Sequence, residues 1–437
     1  MFKSFQKASY GQWKEQVEKE LKGKDFDQFL NWDFENFTFP AYLDHSHASE
    51  HETILAKQCS VLHNFRKEKL QGRGWLGAQR IKVINEKKAN EEALIHLRTG
   101  IDSLIFDIQK DDVDWTRLTE GIQLDVINIH LEFPMEMWHD GLNALPQNIK
   151  NNTPHIWTSP WDFCAKYGEF HSDSDAIFSE DTTGIIIDAT GVANAGGTME
   201  QQLQYAIGGG LFAARKMKEQ GKPKPIRFHF PLSATYFVEI AKIRAFSWLW
   251  NALGGQIFEN PWKTDSITSE SLWLTHAIAD EQNNTLRNST VCMAAILGGS
   301  SEHINLPHNI GYADVDFFSA RVANNIHHIL REESFMAESS DPSFGSFYIE
   351  RLTYLITQEL LKTDWETAWD AELISGRFQE AVHQSGAVLG KKIQDGSHPW
   401  LGVNLYPNPN DPNQNKGCKP GRNFGMLNSR VNAHVNA

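Results

Sequence analysis

The stretch from Ile226 to Leu253, IRFHFPLSATYFVEIAKIRAFSWLWNAL, constrains this chain more than any other. It opens with a β-favouring alternation from Ile226 to Phe230, meets Pro231 and Ser233, and then runs without glycine or proline until Gly254. The pattern reads as one strand, one loop and one helix. Phe237, Ile240, Ala241, Ile243, Ala245, Phe246, Trp248, Leu249 and Trp250 cover most of the helix circumference, with Glu239, Lys242, Arg244 and Asn251 as polar interruptions. A helix with so little polar face cannot lie free on a surface, so other helices or another chain must cover it.

Around this unit the same alternation recurs. A first helix, Tyr10 to Leu21, is stopped by Gly23. Phe26 to Leu43 follows, rich in aromatics (Phe26, Phe29, Trp32, Phe34, Phe37, Phe39, Tyr42) but without a sustained period. Aromatics in an irregular arm insert into pockets, either of the main domain or of a partner. Trp32, Phe37 and Tyr42, with Trp248 on the apolar helix, are therefore the candidate partner contacts.

Farther on, a helix from Glu86 to Leu97 reaches Gly100 and a strand ending at Ile108. Strands are expected again at Val126 to Leu131, Gly184 to Ala189, Ile226 to Phe230, Ser271 to Ala279 and Ile304 to Leu306, with helices such as Met199 to Gln220 and Phe317 to Glu333 between them. This is an α/β pattern with a parallel sheet, and its repetition favours a closed (β/α)8 TIM barrel, although the pattern does not resolve all eight strands. The expected division is an N-terminal helix and aromatic arm over 1–60, a barrel over 61–406, and a tail over 407–437. That tail, beginning PNPNDPNQNKG, has too few apolar residues to pack a core and is expected to be disordered.

Function classes narrow next. The formal net charge of −14 and the lack of Lys/Arg clusters with interleaved aromatics argue against nucleic acid. No apolar run reaches membrane-spanning length and MFKSFQK carries no signal-peptide core, so a cytoplasmic location is expected. Cys59, Cys164, Cys292 and Cys418 lie far apart and form no C-x-x-C pair, which indicates neither a disulfide framework nor a zinc site. His45, His47, Glu50 and His51 read as a solvated loop rather than a metal cluster, and His327 and His328 point apart on their helix. Gly208, Gly209 and Gly210 lack the spacing of a dinucleotide site and read as close helix packing. A small molecule or another protein remains as the partner.

Several motifs resemble one family. Phe228, Phe230, Phe237, Glu239, Ile240, Ala241, Lys242, Arg244, Ala245, Leu249 and Trp250 match the F-x-F and F-x-E-I-A-K-x-R-A-x-x-x-L-W pattern of the coenzyme B12-dependent acyl-CoA mutases. In the same order as in that family come Leu297-Gly298-Gly299, Phe318-Ser319-Ala320-Arg321, Glu332-Glu333 and the run Asp341 to Thr353. Leu30, Trp32, Glu35, Pro40 and Tyr42 fit the family's N-terminal arm loosely. The resemblance covers roughly 75–406.

What it implies is a barrel whose chemistry is missing. The family's substrate barrel continues into a flavodoxin-like cobalamin domain with a D-x-H-x-x-G histidine as lower cobalt ligand, and no D-x-H triplet occurs here. The tyrosine of the family's Q-Y-A-G run is matched by Arg80, a flexible cation in place of a phenol. The tyrosine and histidine of S-G-Y-H are matched by Thr190 and Gly191, which removes the donor to the substrate carbonyl. The loop that lines the acyl-CoA channel is replaced after His276 and shortened.

By resemblance, then, this is a small non-catalytic subunit with no cofactor of its own, serving a large methylmalonyl-CoA mutase subunit that holds adenosylcobalamin and the acyl-CoA in a heterodimer. Such enzymes interconvert (R)-methylmalonyl-CoA and succinyl-CoA through a 5′-deoxyadenosyl radical. The barrel of a split acyl-CoA mutase and a stand-alone acyl-CoA binder are the alternatives.

Overall fold

The computed structural model describes residues 8–70, 72–152, 155–179, 183–257, 265–310, 313–366 and 369–413. A two-stranded antiparallel hairpin, β1 (Asn31–Phe34) and β2 (Phe37–Pro40), precedes the main body. Eight parallel strands then close a barrel. They are β3 (Leu76–Val83), β4 (Ser103–Ile108), β5 (Asn128–Glu132), β6 (His155–Thr158), β7 (Thr183–Asp188), β8 (Ile226–Leu232), β9 (Ser266–Ser271) and β10 (Glu302–Ile304). Each pairs with the next, and β10 closes the ring onto β3.

Side chains alternate across each strand, so every strand has a set facing the helices and a set facing the lumen. The outer set is apolar and buried: Ile81 and Val83, Leu104 and Phe106, Ile129 and Leu131, Ile185 and Ile187, Phe228 and Phe230. The lumen set is largely polar, which is why a hydrophobic pattern exposes only half of this barrel.

The apolar helix spans Tyr236–Gly254 and is covered by the chain's own helices 50–69, 199–220, 283–298 and 347–360. Phe246 lies edge-on to both Phe228 and Phe230, each at 4.7 Å between ring centroids. Its polar interruptions are buried and paired. Arg244 reaches Asp341 and Glu350, each at 2.8 Å, and Lys242 reaches Gln202 at 2.7 Å and Glu239 at 3.1 Å. The family-like residues of this helix and of the run 341–353 thus form one internal clamp.

The three consecutive glycines sit within the helix Met199–Gln220 where aromatic rings press on it. A Cβ on Gly209 would stand 2.7 Å from Trp161, and one on Gly210 2.7 Å from Trp250. Close packing is their role.

The aromatic arm inserts into this chain's own body. Phe37, 8% exposed, and Phe39 belong to the main core, and the Trp32 indole donates to the Tyr348 hydroxyl at 2.7 Å. Trp248 is half-buried and its indole donates to Gln58. Tyr42 stays 46% exposed, with its ring parallel to that of Tyr10.

Two expectations need correction. The segment expected as a strand from Ser271 to Ala279 begins where β9 ends; 273–275 is a short 3-10 turn and the rest is loop. β9 itself, Ser-Ile-Thr-Ser-Glu-Ser, carries one apolar side chain and so gave no strand signal. β3 and β6 were not anticipated at all. The helix expected to reach Glu333 is α-helical only over Phe317–His328 and ends in a π-turn, Ile329–Glu333. Of the tail expected to be disordered, 414–437 lies outside the described residues. Among the described residues no helix is long and apolar enough to cross a membrane.

Candidate functional site

In a barrel of this kind the carboxyl ends of the strands are where loops gather chemistry. Here Asp107, Glu132 and Asp188, on β4, β5 and β7, meet Lys82, Ser159, Asp162, Gly191 and Tyr205 around an open cleft of about 240 Å³.

Below the cleft the lumen is filled rather than hollow. Arg80, on β3, is not the flexible cation expected from sequence. Its side chain is 6% exposed, and its Nη2 lies 2.8 Å from Glu132 and 3.2 Å from Asp188, with Nη1 3.6 Å from Glu270. The correction has a simple cause: Arg80 sits inside a strand, at a lumen-facing register, opposite carboxylates from three other strands. Arg227, on β8, adds a second ion pair with Glu132 and lays its guanidinium over the Trp157 ring at 4.8 Å.

Two histidines complete the plug. His229 Nδ1 is 3.1 Å from Arg80 and its Nε2 is 3.2 Å from Glu270. His130 accepts from the Trp157 indole at 2.9 Å through Nδ1, and its Nε2 is 3.4 Å from Glu302. Burial disfavours charge on Arg80, Arg227, Glu270 and Glu302; on Arg227 burial prevails and its pKa is lowered, while on the other three the pairing overrides it. For Arg80, burial alone would lower the pKa, yet Glu132, Asp188 and Glu270 hold it well above the ordinary arginine value. For Glu270 and Glu302, burial alone would raise the pKa; His229 and Arg80 hold the first below the usual carboxylate range, and His130 and Arg227 the second.

At the rim, Thr190 donates to Asp188 through its backbone N–H at 2.9 Å and its hydroxyl at 2.6 Å. Asp162 beside it accepts from the Tyr205 hydroxyl at 2.6 Å, and burial, reinforced by the nearby Asp188, pushes its carboxyl far up. Gly191 lines the cleft without offering a side chain. On the other side, Trp273, in the 3-10 turn after β9 and ahead of the replaced loop, packs against Ala78, Ile105, Ile304 and Leu306.

Arg80, Thr190 and Gly191, picked out separately in the sequence, therefore meet in one place, at the top of the lumen and its cleft. Glu132, Arg227, His229, Glu270 and Glu302 were missed. For Glu132, Arg227 and His229 the signal was a charged or polar residue at every second position of an otherwise apolar strand, as in Ile226-Arg227-Phe228-His229-Phe230; Glu270 and Glu302, on strands with one apolar residue each, carried none. Trp32, Phe37, Tyr42 and Trp248 lie elsewhere, on the arm and the apolar helix. Among the described residues there is no group of three or more His, Cys, Asp or Glu side chains that could hold a metal; His47 instead pairs with Asp44 at 2.9 Å.

Comparison with known proteins agrees with the barrel and its motifs. A small subunit of methylmalonyl-CoA mutase from Porphyromonas gingivalis is 27% identical over 442 residues, covering 93% of this chain and 71% of that protein. The small subunit from Streptomyces virginiae is 25% identical, over 76% of this chain and 59% of its own length. The large subunit from the same organism is 30% identical over 49% of this chain, which covers 31% of that protein. The sequence model of the family described as methylmalonyl-CoA mutase matches residues 178–422, more than half of the chain, and the chain belongs to that family.

Proposed function

We propose that this chain is the small, non-catalytic subunit of a heterodimeric methylmalonyl-CoA mutase, supporting a large subunit that holds adenosylcobalamin and the acyl-CoA. The observation that carries the reading is the plugged lumen. Two arginines, four carboxylates and two histidines from six strands use one another as partners at the level where an acyl-CoA would need room.

The lumen and sheet histidines do not fit a cobalt ligand. The lumen histidines His130 and His229 are buried with both ring nitrogens against protein groups, and His303, behind the sheet, is held between Ser269 at 2.8 Å and Asn305 at 3.2 Å. No reaction step is therefore assigned to this barrel. The small-subunit relatives, one of them aligned along 93% of the chain, support the same reading.

The test is capture of the untagged large mutase subunit from the source cell by the tagged full chain, followed by assay of the complex for methylmalonyl-CoA turnover. A stable complex that turns over, with no turnover from the chain mixed with a free cobalamin-binding domain, is the expected result. Turnover in that mixture would establish the split-enzyme reading instead, and failure to capture any large subunit would refute the assignment.

A further inference from the structure

A second pocket lies at the opposite end of the barrel, beside the amino end of β3. It is lined by His63, Arg66 and Lys67 from the helix 50–69, by Gly299 and Ser300 after the helix 283–298, and by Ser339 and Ser340. Spacings of three and four residues put His63, Arg66 and Lys67 on one helix face. The free room is about 20 Å³, enough for one or two waters or one small ion.

The polar groups here are unusually underused. Arg66 is 8% exposed, yet its hydrogen bond is a long one, 3.4 Å to the Gly299 carbonyl, and among the described residues no carboxylate lies within ion-pair distance of it. His63 Nδ1 and the Ser300 hydroxyl are buried without a partner, on residues 8% and 4% exposed. Gly299 has φ +95°, and a Cβ there would stand 2.9 Å from His63 Nδ1 and 3.5 Å from the Arg66 guanidinium, so glycine keeps the corner open.

Charge points the same way. Burial pushes Arg66 down to about 10, the mark of a cation without a close counter-ion. Burial also brings His63 down to about 4, so its ring is neutral and keeps one N–H to donate. Of the carboxylates that face these groups, Asp265 acts on Arg66 but accepts from the Trp250 indole at 2.7 Å and the Ile226 N–H at 3.0 Å, Asp341 is held by Arg244 at 2.8 Å, and Glu338 acts on Lys67. Lys67 itself is half-buried at the rim and bonds the Ser339 carbonyl.

We propose that this pocket binds a tetrahedral oxyanion, as free orthophosphate or as the terminal phosphate of a larger molecule. The Arg66 fork supplies paired donors of the geometry phosphate oxygens accept, Ser300 and His63 supply neutral donors from other directions, and Lys67 supplies charge at the mouth. The pocket is separate from the plugged lumen, so the proposal stands whether or not the chain serves a mutase.

Titration of the full chain with orthophosphate at constant ionic strength, against chloride, tests it. Orthophosphate is expected to bind and raise the melting temperature, and Arg66→Met to weaken binding at least tenfold. Should Arg66→Met fail to fold, Lys67→Met and Ser300→Ala carry the test, each with an expected loss of threefold or more at an unchanged melting temperature in chloride. Adenosine 3′,5′-bisphosphate binding more tightly than orthophosphate would identify a larger phosphate-bearing ligand, and equal or weaker binding the free anion. Orthophosphate binding no better than chloride, or variants that bind as the wild type does, would overturn the proposal.

Discussion

Arg80 neutralises carboxylates on three other strands, and none of the three side chains is more than 10% exposed. Removing it leaves buried negative charges facing one another. Arg80→Met is therefore expected to destabilise the fold by about 3–5 kcal/mol, the usual cost of breaking a buried pair from one side, measured as a shift in urea unfolding at pH 7. Joint replacement of partners by apolar residues of matching volume should recover much of that loss, because the desolvation cost disappears with the charges.

His96 gives a second test at this scale. It is 1% exposed, accepts from the Asn324 amide at 3.2 Å, and burial brings it down to about 4. The unfolded chain takes up that proton near the ordinary value of about 6.5 while the folded chain does not, so the folded state loses stability as pH falls from about 6.5 to about 4. The slope from this one group is roughly 1.4 kcal/mol per pH unit. His96→Asn is expected to flatten the fall by that amount. Parallel unfolding curves for wild type and variant across that window would show the opposite, that His96 titrates normally in the fold.

At the scale of elements, the glycine run in the helix 199–220 sets a sign against propensity. Alanine favours a helix interior over glycine by about 1 kcal/mol. At Gly210, however, the added methyl would sit 2.7 Å from Trp250, whose indole is held by Asp265, and 2.9 Å from Phe228, which is fixed in β8. Gly210→Ala is expected to lower stability by about 1–3 kcal/mol net, seen as a fall in melting temperature, because overpacking outweighs propensity.

The same elements show how much could be read in advance. The helices Tyr10–Leu21 and Met199–Gln220 announce themselves through caps and composition: Ser9 and Thr198 each open a capping box. The outward faces of β4, β7 and β8 are apolar and visible as strands. β9 and β6 are not, because a lumen of ions leaves short strands with few apolar positions. The candidate site was legible only as losses, at Arg80, Thr190 and Gly191. That Arg80 is held by Glu132 and Glu270, 52 and 190 residues along, is a fact of barrel closure that no local window contains.

For the whole molecule, the arm decides which probes of association are informative. Trp32 bonds Tyr348 and Phe37 is buried, so Trp32→Ala is expected to reduce this chain's own stability along with any partner affinity. Tyr42 is exposed beside an apolar pocket lined by Leu43, Ala56, Phe344 and Phe347. If the large subunit docks there, Tyr42→Ala is expected to weaken the complex by about 2 kcal/mol, some thirtyfold in dissociation constant, with unchanged circular dichroism. An unchanged dissociation constant would move the interface away from the arm.

The lumen plug has a kinetic side as well. Its ions are carried by β3, β5, β7, β8, β9 and β10, so no one of these strands can peel off without stranding a charge on another. Amide protons throughout these six strands should accordingly exchange with solvent in a single slow class, through one shared opening, while the ends of the helices exchange freely. Assembly faces the mirror constraint: Arg80 meets Glu270 only after nearly two hundred residues of intervening chain have been brought round, which places ring closure late and makes it slow.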